Sequence, residues 1–234
     1  MAGRPQPEQH APPVQRLRVK YAKRGRARFT SSRDFGRAFE RALRRAEVPM
    51  AYTSGFSPHP RISYANSVPT GAASEAEYLE IGLAEICDPA LVRSALDAAL
   101  PAGLDVVEVI VAPPVALADV LTGARWRIEL NGISSAVLEG AVARFLAAGS
   151  VLVERMTRNG LREFDARADV VSLSVEGNSL LLVIAHSTPL VRPDDVLSAL
   201  VRLTPELVPS QPPVFTRLTQ GTLDHSSGSI TEPA

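Results

Sequence analysis

The two halves of this 234-residue chain share one order of strand and helix patterns, which constrains the fold more than any other feature. Hydrophobic residues at period 2 predict strands, and those at period 3.6 predict helices. The first half contains, in order, a strand at 16–22, a helix at 32–47, an extended run at 49–53, a strand at 77–83, a helix at 89–100 and a strand at 104–112. The second half contains strands at 125–130, 151–157, 170–177, 179–185 and 213–218, with helices at 134–148 and 193–203.

A short sequence match supports the repeat. Pro89 and Pro193 each stand where the first turn of a helix accepts proline, and five residues later both helices read Ser-Ala-Leu, at 94–96 and 198–200. The shared order of strand, helix, strand, strand, helix, strand is the ferredoxin-like βαββαβ arrangement. We therefore predict an α+β fold with two tandem ferredoxin-like domains and antiparallel sheets. Many functions use this fold, so it does not identify one.

Proline and polar residues predict the domain boundaries. Ala112-Pro113-Pro114 ends a strand, because proline cannot donate to a sheet ladder. Both termini are rich in small or polar residues, which is typical of frayed ends. The predicted organisation is a disordered tail at 1–14, a basic N-terminal domain at 15–112, a linker at 113–123, a C-terminal domain at 124–218 and a disordered tail at 219–234.

The composition excludes several classes of protein. Cys87 is the single cysteine, so the chain has no disulfide framework or Cys-rich zinc site and cannot hold an iron–sulfur cluster alone. No apolar run reaches the roughly 18–20 residues that span a bilayer, and the N-terminus has no apolar signal core. Phosphate-loop, dinucleotide and HExxH motifs are absent. We expect a cytoplasmic protein with no metal, no cofactor and no membrane partner.

The net charge of zero conceals an uneven distribution. Residues 1–61 carry 14 basic and 4 acidic residues, whereas the remainder carries 11 basic and 21 acidic ones. A basic segment of this kind indicates a polyanionic partner. The alternative is that the basic segment pairs with the acidic remainder of the same chain.

The helix predicted at 32–47 has an apolar face and an arginine face. At 100° per residue, Phe35, Phe39, Ala42, Leu43 and Ala46 share one face, and Ser32 can cap the helix. Arg33, Arg37, Arg41 and Arg44 form a stripe on the opposite face. Like charges at this spacing repel unless an anion lies nearby. The stripe is interpreted as a phosphate-binding surface, with a solvated helix face as the alternative.

Two further segments carry residues suited to RNA. Basic side chains alternate with aromatic ones between Lys20 and Phe29, and the loop from Tyr52 to Ser63 holds His59 between two prolines. His59 is a candidate RNA contact or general acid–base, the alternative being a surface residue or a hydrogen-bonding strut. The predicted nucleic-acid contacts are Lys20, Tyr21, Lys23, Arg24, Arg26, Arg28, Arg33, Arg37, Arg41, Arg44, Arg45, Ser54, Phe56, His59 and Arg61.

Several motifs resemble the radical-SAM-linked protein family of unknown function, whose members occur alone or fused to cobalamin-type radical SAM enzymes. The motifs are Arg18-Val19-Lys20-Tyr21, Phe39-Glu40-Arg41-Ala42-Leu43-Arg44-Arg45-Ala46, Ser54-Gly55-Phe56-Ser57-Pro58-His59-Pro60-Arg61-Ile62-Ser63 and Ser74-Glu75-Ala76-Glu77-Tyr78-Leu79. Arg162, Asp165 and Arg167 belong to a weaker family element and are possible second-domain contacts. One departure is Phe35-Gly36, where relatives tend to carry a longer aliphatic pair. The resemblance implies a bacterial cytoplasmic protein that acts on RNA with a separately encoded radical SAM enzyme.

Three functions are compatible with these residues. The first is an RNA-binding accessory protein that acts with a radical SAM enzyme in RNA modification or processing. The second is a metal-independent endoribonuclease that uses His59, although no second acid–base group stands beside it. The third is a protein-docking module for an acidic partner. The carboxylates Glu75, Glu77 and Glu80 are interpreted as solvent-facing residues or partners of nearby arginines, with acid–base or Mg²⁺ chemistry as the alternative.

Overall fold

A computed structural model describes residues 9–157 and 160–233 of the chain. The chain divides into two compact units. Unit 1 contains the described residues up to Thr70 together with Ala76–Ala118, and unit 2 contains Gly71–Glu75 and the described residues from Asp119 to Pro233. The predicted linker at 113–123 contains a short helix, and the excursion of 71–75 into unit 2 has no counterpart in the linear division predicted from the sequence.

Unit 1 is built from an antiparallel sheet and two long helices. Its elements are β1 (Gln15–Lys23), α1 (Ser32–Arg45), β2 (Ile62–Ala65), β3 (Ala73–Leu83), α2 (Pro89–Ala99), β4 (Leu104–Val111) and α3 (Leu117–Val120), with a 3-10 turn at Gly25–Phe29. The first three residues of β3 and the last two of α3 belong to unit 2. The strand order is β4-β1-β3, and β2 pairs antiparallel with β3. The run at 49–53 forms isolated bridges from Met50 to Leu83 and from Tyr52 to Pro60.

Helix α1 begins one residue earlier than a Ser32 cap would place it. The cap is Ser31, whose hydroxyl accepts a hydrogen bond from the Asp34 backbone N–H at 3.1 Å. The expected apolar face is confirmed, since Phe35, Phe39, Ala42 and Leu43 are buried. They pack on inward-facing residues of the sheet and α2, among them Leu17, Val19, Tyr21, Leu79, Ile81, Leu83, Val92, Leu96 and Leu104. The apolar period of 3.6 therefore determines which face of α1 meets the sheet.

Unit 2 has a comparable set of elements and an added hairpin. They are β5 (Gly123–Glu129), α4 (Ser135–Ala147), β6 (Leu152–Thr157), β7 (Gly160–Asp165), β8 (Val170–Glu176), β9 (Ser179–Ala185), α5 (Pro193–Leu203), β10 (Val214–Leu223) and β11 (Ile230–Thr231). The main sheet has the antiparallel order β10-β5-β9-β8, whereas β6 and β7 pair as a separate two-stranded sheet. Ala73 and Ser74 pair in parallel with Thr216 and Arg217.

These findings confirm a mixed α+β protein with mostly antiparallel sheets. The tandem ferredoxin-like assignment stays a prediction. No helix among the described residues is long and apolar enough to cross a membrane.

The terminal segments differ from the expected tails. Residues 1–8 lie outside the described residues, but the Val14 N–H donates to the Leu83 carbonyl at 2.9 Å. At the other end, β10 continues to Leu223 and pairs with β11, so the tail predicted at 219–234 is wrong for this part. Gly221 lies against the Thr231 carbonyl, where a Cβ would collide. The small residues here reflect close strand contact and not fraying.

His186 lies half-buried after β9, with Nδ1 2.7 Å from the Leu121 carbonyl oxygen. Because a carbonyl only accepts, Nδ1 carries the proton. Burial lowers the pKa of His186, the bond to Leu121 raises it and the charge of Arg217 lowers it, with a net shift below its usual range. The unfolded chain therefore binds the proton more tightly, and stability falls as pH drops through about 6.5.

We predict that His186→Asn reduces this acid sensitivity, because an amide N–H can still donate to Leu121 without charging. Urea unfolding at about pH 7 and about pH 5 measures the loss of stability, which should be larger for the parent than for the variant. The exposed His225→Asn serves as the control. An equal loss in parent and His186→Asn would show that His186 does not titrate in this way.

Candidate nucleic-acid interface

The four arginines of the predicted stripe lie on the exposed face of α1. Arg33, Arg37, Arg41 and Arg44 are all exposed, as the helical period predicts. Within residues 9–157 and 160–233, none of the four forms an ion pair or a hydrogen bond. The alternative in which this stripe pairs with acidic residues of the same chain is therefore not what the described structure contains.

This arrangement costs helix stability. Arg33, Arg37 and Arg41 are spaced four residues apart, so each neighbouring pair repels by a few tenths of a kcal/mol. Arg33 also lies in the first turn, where the helix macrodipole disfavours a cation. Arg44 and Arg45 lie in the last turn, where a cation is favourable, and Arg45 Nη1 donates to the Ala99 carbonyl at 3.1 Å. Arg45 thus connects α1 to α2, whereas the other four side chains point to solvent.

The segment from Lys20 to Arg28 is less available than its sequence indicates. Tyr21 is buried and its ring stacks on Phe35 at 4.4 Å, so it cannot stack on a base. Lys23 is also buried, and Lys20 is half-buried directly opposite Glu108. Strand alternation places Tyr21 on the core face of β1. These three residues belong to the fold of unit 1 and not to its exposed surface.

The turn that follows β1 retains an exposed basic and aromatic group. Arg24 Nη1 lies 2.8 Å from Asp105 Oδ2 in an exposed pair, which contributes little to stability. Arg26 is exposed, and the Arg28 guanidinium lies 4.7 Å from the centre of the Phe29 ring. Phe29 itself is 60% exposed and was not among the predicted contacts. Its position beside a run of arginines was the sequence signal that could have identified it.

The loop before β2 presents its side chains outward from a fixed backbone. The Thr53 hydroxyl accepts from the His59 N–H at 3.0 Å, and the Thr53 N–H donates to the His59 carbonyl at 2.9 Å. Phe56 at the loop tip is 73% exposed, and the exposed Ser54 accepts from the His10 N–H. Gly55 has φ of 137°, a conformation that other residues rarely adopt.

His59 lies exposed on this loop, with its backbone bonded to Thr53. Its side chain is exposed, and within the part of the chain that the structure describes no carboxylate or second imidazole is hydrogen-bonded to its ring. General acid–base catalysis needs a partner to orient the imidazole and a second group for the other proton. Arg61, two residues later, is held by a bond from Nε to the Tyr52 carbonyl at 3.0 Å.

Carboxylates on β3 pair internally. Arg18 donates to Glu80 Oε1 from Nε at 3.2 Å and from Nη2 at 2.9 Å, and Arg16 donates to Glu80 Oε2. Arg18 and Glu80 are both buried, and Arg18 Nη2 also donates to the Val115 carbonyl at 3.1 Å. The interpretation of Glu80 as an arginine partner is confirmed. Arg16 was not among the predicted site residues, although alternation placed it on the same face as Arg18.

The segment Ser74–Tyr78 supports the chain beyond the His59 loop. Tyr78 is buried and pairs in register with Ala65, and Glu77 accepts from the Val68 N–H at 3.1 Å. In unit 2, Ser74 is buried and its hydroxyl lies 3.5 Å from Arg217 Nε. These residues act on the fold and are not part of an exposed surface.

Gly36 is explained by a neighbouring ring. A Cβ at residue 36 would lie 3.4 Å from the Tyr64 hydroxyl oxygen, so a long side chain there would displace Tyr64. The Tyr64 ring also meets Phe35 edge-on, with ring centres 6.1 Å apart. Burial, together with the charge of Glu40, raises the pKa of Tyr64 to about 12. The hydroxyl therefore remains protonated at neutral pH.

The unit 2 candidates divide into one exposed residue and two structural ones. Asp165 accepts from the N–H groups of Val151 at 3.0 Å and Arg167 at 2.9 Å. Burial alone would raise the pKa of Asp165, but the hydrogen bonds together lower it by more, so the net shift of the pKa is downward. Arg167 Nη1 donates to the Val170 carbonyl at 2.9 Å. Asp165 and Arg167 stabilise the turn after β7, and Arg162 alone of the three is exposed.

No group of His, Cys, Asp and Glu side chains in residues 9–157 and 160–233 is arranged to hold a metal ion. The exposed candidates are instead basic, aromatic and hydroxyl-bearing. That set can bind phosphates and stack on bases.

Arg37 offers a direct test of repulsion within the stripe. Arg37→Glu replaces two repulsive i,i+4 pairs by attractive ones, and Asp34 and Glu40, each three residues away, cancel part of the gain. We predict that the free energy of unfolding rises by about 0.5 kcal/mol at low salt and by less at high salt. Urea unfolding with Arg37→Gln as the intermediate control measures this. A destabilised Arg37→Glu would mean that Arg37 already has a compensating anion.

One of the comparisons with known proteins identifies a family, and none of them assigns a function. Residues 16–193 match the family model described as "Uncharacterized protein conserved in bacteria (DUF2344)". No curated protein matches the chain. A crystal structure described as that of "an Unknown Protein from Galdieria sulphuraria" aligns with 17% identity over 89% of this chain and 99% of that one, with a TM-score of 0.27, which is too low to support an argument. Because the family model spans most of the sequence, the chain belongs to DUF2344, an uncharacterised protein family conserved in bacteria.

Proposed function

We propose that this protein binds RNA through unit 1 and serves as an accessory protein in RNA modification or processing. The observation that carries the proposal is the stripe of Arg33, Arg37, Arg41 and Arg44, exposed and without an ion pair among the described residues. A helix that retains mutually repulsive charges gains stability when a polyanion binds to that face. Arginine suits this role because its planar fork can donate two hydrogen bonds to one phosphate.

Exposed aromatic rings favour a nucleic acid over an acidic protein as the partner. Phe29 and Phe56 expose most of their surface, and each stands near arginine in the sequence. Stacking of one base on an aromatic ring contributes about 1–3 kcal/mol, and single-stranded RNA offers unpaired bases for it. The revised contact set leaves out Lys20, Tyr21 and Lys23, which are covered, and Arg24 and Arg45, which bond to Asp105 and Ala99. It consists of Arg26, Arg28, Phe29, Arg33, Arg37, Arg41, Arg44, Ser54, Phe56, His59 and Arg61.

We further propose that each unit is a variant of the ferredoxin-like fold. In unit 1 this is supported by the element order β1-α1-β2-β3-α2-β4 and by β2 lying beside β3 in a β4-β1-β3 sheet. In unit 2 the order β10-β5-β9-β8 corresponds strand for strand, with the β6–β7 hairpin as an insertion. The fold serves many functions, so this assignment adds no weight to RNA binding.

Charge reversal on α1 tests the proposal directly. We predict that Arg37→Glu/Arg41→Glu/Arg44→Glu loses the RNA that the parent chain captures after ultraviolet crosslinking in the native host. In vitro, single-stranded RNA should bind the variant more weakly. The slope of log K against log salt should fall in magnitude by about 2, since each phosphate contact contributes about 0.7.

The control reverses three exposed arginines elsewhere, as Arg93→Glu/Arg125→Glu/Arg144→Glu. This variant changes the net charge by the same amount and should keep most of the affinity. Equal losses in the two variants would mean that total charge and not the stripe is responsible. Failure of the parent chain to enrich any RNA would refute the proposal, and a nuclease-resistant acidic partner on α1 would replace it with protein docking.

The radical SAM partner is a separate part of the proposal, and it rests on the sequence motifs alone. The single cysteine means that any iron–sulfur chemistry must come from another chain. We predict that the tagged full chain, purified anaerobically from its native host, retains a radical SAM enzyme that mass spectrometry identifies. The α1 triple variant separates partner binding from RNA binding. If the chain captures RNA but no radical SAM enzyme is recovered with it, the proposed partner is refuted and the proposed RNA binding stands.

A further inference from the structure

A cleft of about 420 Å³ opens on unit 1 beside the loop that carries His59. Its polar lining comes from Arg16, Thr53, Arg61, Ser63 and Glu80. Glu80 stands between the core residues Leu79 and Ile81, so its side chain projects from the face of the sheet opposite α1. The cleft is therefore a second surface, separate from the arginine stripe.

Two guanidinium groups of the cleft are held in place with donors remaining. Arg16 Nη2 is bonded to Glu80 Oε2, and Arg61 Nε is bonded to the Tyr52 carbonyl. A guanidinium has five N–H donors, so each group has several N–H bonds left for a ligand. Because one bond already fixes each group, little side-chain entropy is lost when a ligand binds.

Hydroxyl groups complete the set of donors. Ser63 pairs in register with Glu80, so its side chain lies on the cleft face of β2. Thr53 Oγ1 accepts from the His59 N–H, which leaves the Thr53 hydroxyl proton as a donor. The ligand groups that match several converging donors are anionic oxygens.

The charge of the cleft indicates how much negative charge it can hold. Glu80 forms its floor and is neutralised by Arg18 beneath it, which leaves Arg16 and Arg61 as net positive groups. The net charge of Arg16, Arg18, Arg61 and Glu80 together is +2. A phosphomonoester carries about −1.5 to −2 charges at neutral pH, whereas a phosphodiester of an RNA backbone carries one.

The absence of a side chain at Gly82 allows two segments of the chain to line the cleft closely. A Cβ at residue 82 would lie 3.0 Å from Pro13 Cβ and 3.3 Å from Arg61 Cβ, closer than ordinary contact. The Gly82 N–H donates to the Arg61 carbonyl, and its carbonyl accepts from Ala51, both at 2.9 Å. The missing side chain thus lets the segment around Pro13 and the segment around Arg61 both approach β3 closely.

We propose that this cleft binds the terminal phosphomonoester of an RNA or of a mononucleotide, with Arg16 and Arg61 on the phosphate oxygens and Ser63 and Thr53 donating from the side. The RNA case rests on the function proposed above, whereas the mononucleotide case does not. The site gives unit 1 a means of recognising the phosphorylated end of an RNA chain, which the arginine stripe on α1 does not provide.

The test compares one short single-stranded RNA with a 5′-phosphate, a 3′-phosphate or hydroxyls at both ends, together with AMP as a free ligand. Binding of the full chain is followed by fluorescence anisotropy and calorimetry. We expect one phosphorylated end to bind about tenfold more tightly than the unphosphorylated RNA, the effect of one charge-assisted contact. Arg61→Gln should abolish that preference and Ser63→Ala should reduce it about threefold, whereas the exposed Arg93→Gln should leave it unchanged.

The outcomes separate this site from the stripe. Equal binding of all three RNAs, still lost in the α1 triple variant, would overturn the phosphomonoester site and keep the RNA proposal. Binding of AMP alone, lost in Arg61→Gln, would keep the site, identify the mononucleotide as its source and refute RNA binding. A phosphate preference that persists in folded Arg61→Gln and Ser63→Ala would overturn the assignment to this cleft.

Discussion

The buried ion pair between Arg18 and Glu80 is the constraint on which unit 1 depends. A carboxylate taken out of water is tolerated only when it is paired and hydrogen-bonded, and Glu80 receives two donors from Arg18 and one from Arg16. The pair brings charged side chains of β1 and β3 together on the face away from α1. The Val115 carbonyl accepts from the same guanidinium, which fixes the segment after β4 over the pair. Loss of Arg18 alone would leave Glu80 with only the half-exposed Arg16 as its partner, so the cost would be at most the roughly 3–5 kcal/mol of an uncompensated buried charge.

The periodicity of hydrophobic residues predicted the helices and strands of unit 1 well. It did not predict which polar side chains are buried, because their burial depends on residues far away in the sequence. The 3.6-residue spacing of apolar residues predicted helix α1 and the exposure of its arginines, because a helix that packs on a sheet has one apolar face. Alternation likewise gave the two faces of β1. It could not show that the second face is covered, because that depends on residues 97 positions away, where Val115 meets Arg18. Arg18 therefore reads as a surface residue in the sequence and is buried in the fold.

The same limit explains the differences in unit 2. Asp165 and Arg167 resemble functional residues because they are charged and lie in a motif, yet their hydrogen bonds go to the turn around them. A turn-forming aspartate and a ligand-binding aspartate have the same local sequence signature. The sequence also did not predict the C-terminal end of β10, because ordered residues there resemble a disordered tail. Its glycine and polar residues resemble a tail, and only the close approach of β11 at Gly221 makes them a strand.

The short strand β2 connects the two surfaces for which binding functions are proposed. Successive residues of a strand point to opposite faces, so Tyr64 meets Phe35 and Gly36 of α1 while Ser63 faces the cleft. Among the described strands β2 pairs only with β3, and it forms an edge of the unit 1 sheet. An RNA held by the α1 stripe with its terminal phosphate in the cleft would therefore pass around this edge. The Tyr64 hydroxyl is protonated at neutral pH, as an ordinary tyrosine is, so the edge presents a hydrogen-bond donor and adds no negative charge to repel the backbone.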